Sequence, residues 1–420
     1  MPDTHVLVEH SSQGQLPVYD TIVIGAGISG LYMLYRLREL GMTARVFEAG
    51  TSVGGTWYWN RYPGARFDSE SWTYGYSFSK ELMAEWDWKE HFSPQPDTLE
   101  YLNYVADKFD LRRDMEFRST VTAAHWDETA KRWQVTLESG RQASARFLFT
   151  AIGILSAHTL PAIPGRDSFA GPAYHPARWP HTPVDFTGKR VGIIGTGATA
   201  IQAIPEIAKQ AAHLTVFQRR PNWAAPLHNS KISKEEMEEI KSRYEEIYAH
   251  CATTPSWFIH QADPRKTLDV SPEKREAFWE KLYGEPGFGI WMGNFRDILT
   301  NEGAPMPQSG RSCHPTVGGL PHGEHSVWAI APFSNRWCHG FGATRPLIWR
   351  ICHRGSGYGR LHSRAWAICI ASDQRVTLAS HARDGQLGRA PILRARFGSP
   401  QRGVQHCCNK VQRGAGSRRS

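Results

Sequence analysis

Six residues, Gly25-Ala26-Gly27-Ile28-Ser29-Gly30, have the spacing of a turn that binds the pyrophosphate of a dinucleotide. Glycine lets backbone amides approach the anion, and the helix that follows offers its N-terminal amides and dipole. Glu48 stands 18 residues after Gly30, where a carboxylate accepts hydrogen bonds from a ribose. A second turn, Gly195-Thr196-Gly197-Ala198-Thr199-Ala200, repeats the pattern, but Arg219 and Arg220 stand where the acid would be. Guanidinium groups suit a 2′-phosphate that a carboxylate would repel, which implies NADP(H) over NAD(H). The bland alternative for this pair is two solvated basic residues ahead of Pro221.

The elements around each turn are of the right kind. Thr21–Ile24 is a short apolar run that predicts a buried parallel strand, and Leu31, Leu34, Leu37 and Leu40 predict a helix stopped by Gly41. Arg45–Glu48 predicts the next strand. Around the second turn, Arg190–Ile194 and Leu214–Gln218 are the strands, with a helix between them to about Ala212 whose first turns Pro205 kinks. Residues 98–109 predict a helix, 117–126 and 133–137 an antiparallel pair, and 146–153 another buried strand. Ser233-Lys-Glu-Glu236 is a capping-box pattern before an apolar stripe of Ile232, Met237, Ile240, Tyr244 and Ile247, which reads as a packing helix. Residues 254–303, rich in Trp, Phe and Gly, read as partly helical and fit an apolar pocket wall.

Composition divides the 420 residues in two. Met1–Gly303 holds 12 Lys, 20 Arg and 37 acidic residues, a net charge of −5, whereas Ala304–Ser420 holds 1 Lys, 16 Arg and 3 acidic residues, a net charge of +14. The overall +9 therefore belongs to the tail, and nucleic acid is not expected as a partner. Only Cys251 precedes residue 304, so the body has no disulfide framework, as in a reducing compartment. No apolar run approaches the roughly 20 residues that span a bilayer, and residues 1–17 lack the apolar stretch of a secretory signal. A cytoplasmic protein is expected.

Between the turns lies Phe169-Ala-Gly-Pro-Ala-Tyr-His-Pro-Ala-Arg-Trp-Pro180, whose three prolines exclude a long helix or central strand. With Gly55-x-Trp57-x-x-x-x-Tyr62-Pro63-Gly64-x-x-x-Asp68 it carries a family resemblance. From about Tyr19 to about Gly303 the chain resembles the flavin-dependent Baeyer-Villiger monooxygenases.

That resemblance implies an α/β architecture of two Rossmann-like dinucleotide-binding domains with a helical insertion and a disordered or non-native tail. The implied boundaries are a disordered lead-in over 1–17, an incomplete FAD domain over 18–153, a linker over 154–187, the first part of an NADP domain over 188–222, the insertion over 223–303 and the tail over 304–420. The implied reaction uses FAD and NADPH to insert one atom of O2 into a ketone, through a C4a-peroxyflavin, giving an ester or lactone. Gly25, Gly27, Gly30, Glu48, Gly55, Thr56, Trp57, Asp68, Tyr74 and Val121 are implied to contact FAD. Arg66, with Asp68, and Gly195, Thr196, Gly197, Ala198, Thr199, Ala200, Arg219 and Arg220 are implied to serve NADPH. Phe169, Gly171, His175 and Trp179 are implied to couple the domains, without a direct chemical role for His175. Asp68 resembles the carboxylate that holds an active-site arginine, and that arginine is expected beyond residue 303, where Gly342-Ala-Thr-Arg345-Pro346 is a faint match.

Past about Gly303 the family pattern stops. No late strand ending in Ala-Thr-Gly completes the first sheet, so an exposed sheet edge and apolar surface are expected. The Arg-rich, Lys-poor bias is what an out-of-frame reading of a GC-rich gene produces, and a frameshift near Ala304 is expected. Sequencing the source DNA decides this. The six tail cysteines form no paired CxxC set, so zinc is not expected. Two other readings stand beside the first: an N- or S-oxygenating flavin monooxygenase, and an inactive nucleotide-binding remnant.

Overall fold

In the computed structural model, β1 (Val18–Ile24), α1 (Ile28–Glu39) and β2 (Ala44–Phe47) form the first strand, turn, helix and strand unit. The structure describes residues 16–218, 223–298 and 300–301, together with four short strands beyond. Contacts divide the chain into Met1–Gln374 and Arg375–Ser420, and the second unit lies outside the described residues.

The loop after β2 carries α2 (Thr56–Trp59), α3 (Ser71–Tyr74) and α4 (Lys80–Glu85), and then α5 (Gln95–Lys108). After β3 (Met115–Glu116) come β4 (Val121–Asp127), β5 (Arg132–Leu137) and β6 (Gln142–Thr150). The sheet order is β3-β2-β1-β6-β5-β4, parallel from β3 to β6 and antiparallel across β6-β5-β4. Leu31 and Leu34 of α1 and Leu102, Val105 and Ala106 of α5 fill the core on one face. β6 changes partner along its length: Gln142–Ala145 faces β5, while Ser144–Thr150 runs parallel to β1.

The second strand, turn, helix and strand unit, preceded by β7 (Ala173–Tyr174), consists of β8 (Arg190–Ile194), α6 (Ala198–Ala208) and β9 (His213–Gln218). α6 ends four residues before the expected Ala212. Pro205 is its eighth residue, in the last turns and not the first, where the missing amide removes only a bond to Ile201.

After β10 (Trp223–Pro226), the expected single packing helix is two helices, α7 (Lys234–Ser242) and α8 (Tyr244–Cys251), broken at Arg243. Only half of the capping box forms. Ser233 Oγ accepts from Glu236 N at 3.1 Å, but the Glu236 carboxylate binds His91 Nε2 at 2.8 Å. Met237, Ile240 and Tyr244 pack into the core of the first unit. α9 (Pro272–Gly284) and α10 (Gly289–Met292) build a separate core around Trp279, Phe295 and Phe92. Among the described residues no helix is long and apolar enough to cross a membrane.

From the segment 304–420, the described residues are the strands β11 (His314–Pro315), β12 (Val327–Ile330), β13 (Leu347–Ile351) and β14 (Trp366–Ile370). β13 runs antiparallel to β9, and β14 runs parallel to both β8 and β7.

Candidate functional site

The first turn is built from backbone. Gly25 N donates to Phe47 O at 2.8 Å, which ties the end of β1 to β2. A Cβ on Gly30 would lie 1.9 Å from the Gly25 carbonyl oxygen, so no larger residue fits there. Gly27 and Gly55 meet backbone to backbone, and a Cβ on Gly55 would lie 2.7 Å from Gly27 Cα. The signature loop is therefore seated directly on the glycine turn, and Gly54 N donates to Ala26 O at 3.0 Å.

Glu48 is 5% exposed and holds this arrangement. Its Oε2 accepts from Ala26 N at 2.7 Å and its Oε1 from Gly50 N at 2.7 Å. The side chain that sequence alone offers to a ribose thus also clamps the turn. Each oxygen retains a second lone pair for a hydroxyl. Val121 opens β4, just past Ser119, whose amide donates to Glu48 O at 2.8 Å.

Thr56 and Trp57 begin α2. Trp57 Nε1 donates to Tyr74 Oη at 2.8 Å, and Tyr74 stacks on Phe67 at 4.3 Å. Burial pushes the Tyr74 hydroxyl up to about 12, so it stays protonated. The aromatic residues of the loop form a fixed wall, not a surface cluster.

The second turn repeats the first in detail. Gly195 N donates to Phe217 O at 2.9 Å, the counterpart of Gly25 to Phe47. Thr196 is buried, and its Oγ1 accepts from Gln218 Nε2 at 3.2 Å. Gly27 and Gly197 are the N-caps of α1 and α6, and neither helix has a side-chain cap or an acid in its first turn. Ala198, Thr199 and Ala200 open α6. Such uncapped helix starts are suited to an anion. Arg219 and Arg220 lie outside the described residues, as does Arg345.

Residues 62–68 lie against α6. Tyr62 Oη donates to Gln202 Oε1 at 2.7 Å, and Gln202 Nε2 donates to Arg66 O at 3.0 Å and Asp68 Oδ1 at 3.2 Å. Burial pushes the half-buried Asp68 carboxyl up to about 7, against the lowering effects of the Gln202 bond and the Arg66 charge. The Arg66 guanidinium itself reaches Glu90 Oε2 at 3.0 Å and Phe92 O at 2.9 Å. Gln202 was missed from sequence. Its signal was a lone amide in the otherwise apolar stretch Ala200–Ile204.

The linker touches both units. Trp179 packs with Phe186, Val191 and Ile193 in the core of the second, with its ring 5.4 Å from Tyr174. Next to it, the Arg178 guanidinium lies 4.5 Å over the Trp59 ring of α2, and His181 contacts Arg61 and Tyr58. His175 Nδ1 accepts from Ala177 N at 3.2 Å, and Nε2 is buried with no partner among the described residues. Desolvation, with His158 and Arg178 nearby, holds His175 down at about 4, so it is neutral near pH 7. Phe169 closes a short 3₁₀ turn, Arg166–Ser168, and Gly171 precedes β7.

Known proteins share this arrangement. The chain is 48% identical over 298 residues to 2-oxo-Δ3-4,5,5-trimethylcyclopentenylacetyl-CoA monooxygenase of Pseudomonas putida, covering 70% of this chain and 55% of that protein. It is 42% identical over 283 residues to acetone monooxygenase (methyl acetate-forming) of Gordonia sp. (strain TY-5), covering 67% and 53%. The crystal structure of the OTEMO complex with FAD and NADP superposes with a TM-score of 0.66 at 49% identity, covering 68% of this chain and 55% of that one. The chain thus spans about half the length of the curated relatives it matches. Residues 20–270 match the family model described as flavin-binding monooxygenase-like, and the chain belongs to that family.

Proposed function

We propose that the chain is the nucleotide-binding portion of an FAD- and NADPH-dependent Baeyer-Villiger monooxygenase of the cytoplasm, which inserts one oxygen atom of O2 into a ketone to give an ester or lactone. One observation carries this reading: two strand, glycine turn and helix units close with the same backbone bond, and the helix of the second lies on the signature loop of the first. Two nucleotides held by such units converge on one loop. The relatives support the reaction class, since one is an acetone monooxygenase that forms methyl acetate.

The first turn fits FAD, because its backbone is open where a Cβ would collide and Glu48 retains acceptor capacity. Gly25, Gly27, Gly30, Glu48, Gly55, Thr56, Trp57, Tyr74 and Val121 would hold FAD. Gly195–Ala200, Arg66, Arg219 and Arg220 would hold NADPH, and Phe169, Gly171, His175 and Trp179 would transmit the position of one unit to the other. Bound flavin supplies the hydride acceptance and oxygen activation. The chain orients the two nucleotides and shields them with the Trp57, Phe67 and Tyr74 wall.

The test supplies purified protein with NADPH, O2 and a ketone. Ester formation supports the proposal. Oxygenation only of amines or sulfides points to the N- or S-oxygenating reading, and purification without flavin points to a remnant. Replacing Arg219 and Arg220 with Ala lowers the preference for NADPH over NADH at least tenfold, measured by flavin reduction rates; equal rates in the unaltered protein would contradict their role.

A further inference from the structure

Ser230, His91 and Glu236 form a row of side chains that neither nucleotide turn uses. The Glu236 carboxylate accepts from His91 Nε2 at 2.8 Å, and His91 Nδ1 lies 2.7 Å from Ser230 Oγ. A carboxylate has no proton to give, so Nε2 carries the hydrogen and Nδ1 of the neutral ring is bare. The exposed Ser230 hydroxyl therefore donates to Nδ1.

Main-chain bonds hold the three in place. His91 N donates to Ser230 O at 2.9 Å, Ile232 N to Lys89 O at 3.0 Å and Ser71 N to His91 O at 2.7 Å. Glu236 is in the first turn of α7, and the carboxylate that a capping box would turn back on the helix start is given to His91 instead. Trp72 stands edge-on to the His91 ring, with centroids 5.4 Å apart. Trp72 and Glu236 also line a cavity of about 360 Å3 whose apolar walls include Ile240, Ile247 and Ile259.

We propose that Ser230, activated by His91, is a nucleophile for acyl transfer and that the chain hydrolyses small esters at this second site, with Glu236 as a positioning residue. A hydroxyl bonded to an imidazole whose other nitrogen is held by a carboxylate is the arrangement that makes serine nucleophilic. The ring is reversed relative to the serine proteases, since Nδ1 faces the hydroxyl, and either ring nitrogen can take the proton. Ser230 Oγ attacks the ester carbonyl as its proton passes to Nδ1. Glu236 then holds the imidazolium at Nε2, and Ser230 O, 3.2 Å from Nδ1, accepts from the new N–H. The Lys231 amide donates to no group among the described residues and offers a bond to the oxyanion. The carbon–oxygen bond to the alcohol breaks, and the alcohol leaves with the proton from Nδ1. Water repeats the sequence on the acyl-serine, which releases the carboxylic acid and restores the hydroxyl. Ester and water thus become acid and alcohol with no electron transferred, so the site stands independently of the flavin reading.

The test gives the purified full chain p-nitrophenyl acetate, with neither NADPH nor ketone. Saturable release of p-nitrophenol is expected, and a fluorophosphonate probe is expected to label Ser230, located by peptide mass spectrometry. Ser230→Ala abolishes the label and lowers kcat/KM at least tenfold. His91→Ala does the same, and added imidazole restores part of the rate. Glu236→Gln lowers kcat about tenfold with KM little changed, and Glu236→Asp recovers part of the loss. The label needs no variant, so it decides the proposal even where a substitution unfolds the chain. A label on another residue, equal hydrolysis by Ser230→Ala, or release no faster than with free imidazole at the same concentration overturns the proposal. A purely structural clamp lowers the melting temperature of the variants and leaves the unaltered chain without saturable hydrolysis, which overturns it too.

Discussion

Glu48, which sequence alone offers to a ribose, has a structural task of its own. A carboxylate that accepts two backbone amides from different parts of the loop locks the glycine turn before any nucleotide is present. Glu48→Ala leaves both amides buried without partners and is expected to cost about 3 kcal/mol, read as a lower midpoint in urea, because hydrogen bonds to charged groups are the stronger kind. Gly30→Ala acts by collision. Its Cβ would meet a backbone oxygen that cannot move aside, so a loss of about 3 kcal/mol is expected together with loss of flavin on purification. His175 is neutral from pH 5 upward. If the proposed oxygenation is observed, any inflection near pH 6 to 7 in its rate should therefore survive His175→Gln.

At the scale of elements, the core of α9 and α10 and the nucleotide turns are separable. Trp279 on α9 is 1% exposed and sits in a core shared with Phe295 and Ile290, apart from both glycine turns. Trp279→Ala is expected to cost about 3–5 kcal/mol, measured by denaturant unfolding, with nucleotide affinity in the folded fraction unchanged. α7 and α8 behave differently, because Met237, Ile240 and Tyr244 enter the core that also holds Leu31 and Trp57. Damage there would reach the wall of Trp57, Phe67 and Tyr74.

For the whole molecule, the consequential feature is the edge of the first sheet. Among the described residues, Arg146–Thr150 of β6 pairs on the β1 side only. Phe147 is 45% exposed, Phe149 38% and Ile154 93%, so open backbone groups and apolar side chains lie together. Such an edge invites pairing with another chain. The unaltered protein is expected to self-associate with rising concentration, and Phe149→Lys to reduce that association in light scattering while leaving the far-ultraviolet dichroism unchanged. The sequence reading anticipated this edge, because the family pattern stops before the strand that would cover it.

Both glycine turns, their flanking strands and helices and the two signatures were legible in the sequence, because each depends on short-range rules: alternation, glycine spacing and proline placement. The break between α7 and α8 at Arg243 was not legible, since the apolar stripe continues across it and only packing decides where the axis turns. Nor was the second role of Glu48, which depends on the amides of Ala26 and Gly50 converging on one carboxylate. The contact of Gln202 with Asp68 joins residues 134 positions apart, and no local pattern encodes such a distance. Sequence determined which nucleotide-binding units the chain builds. The tertiary structure alone decided that the helix of the second unit rests on the loop of the first, because that contact is made by packing between segments that carry no mark of each other.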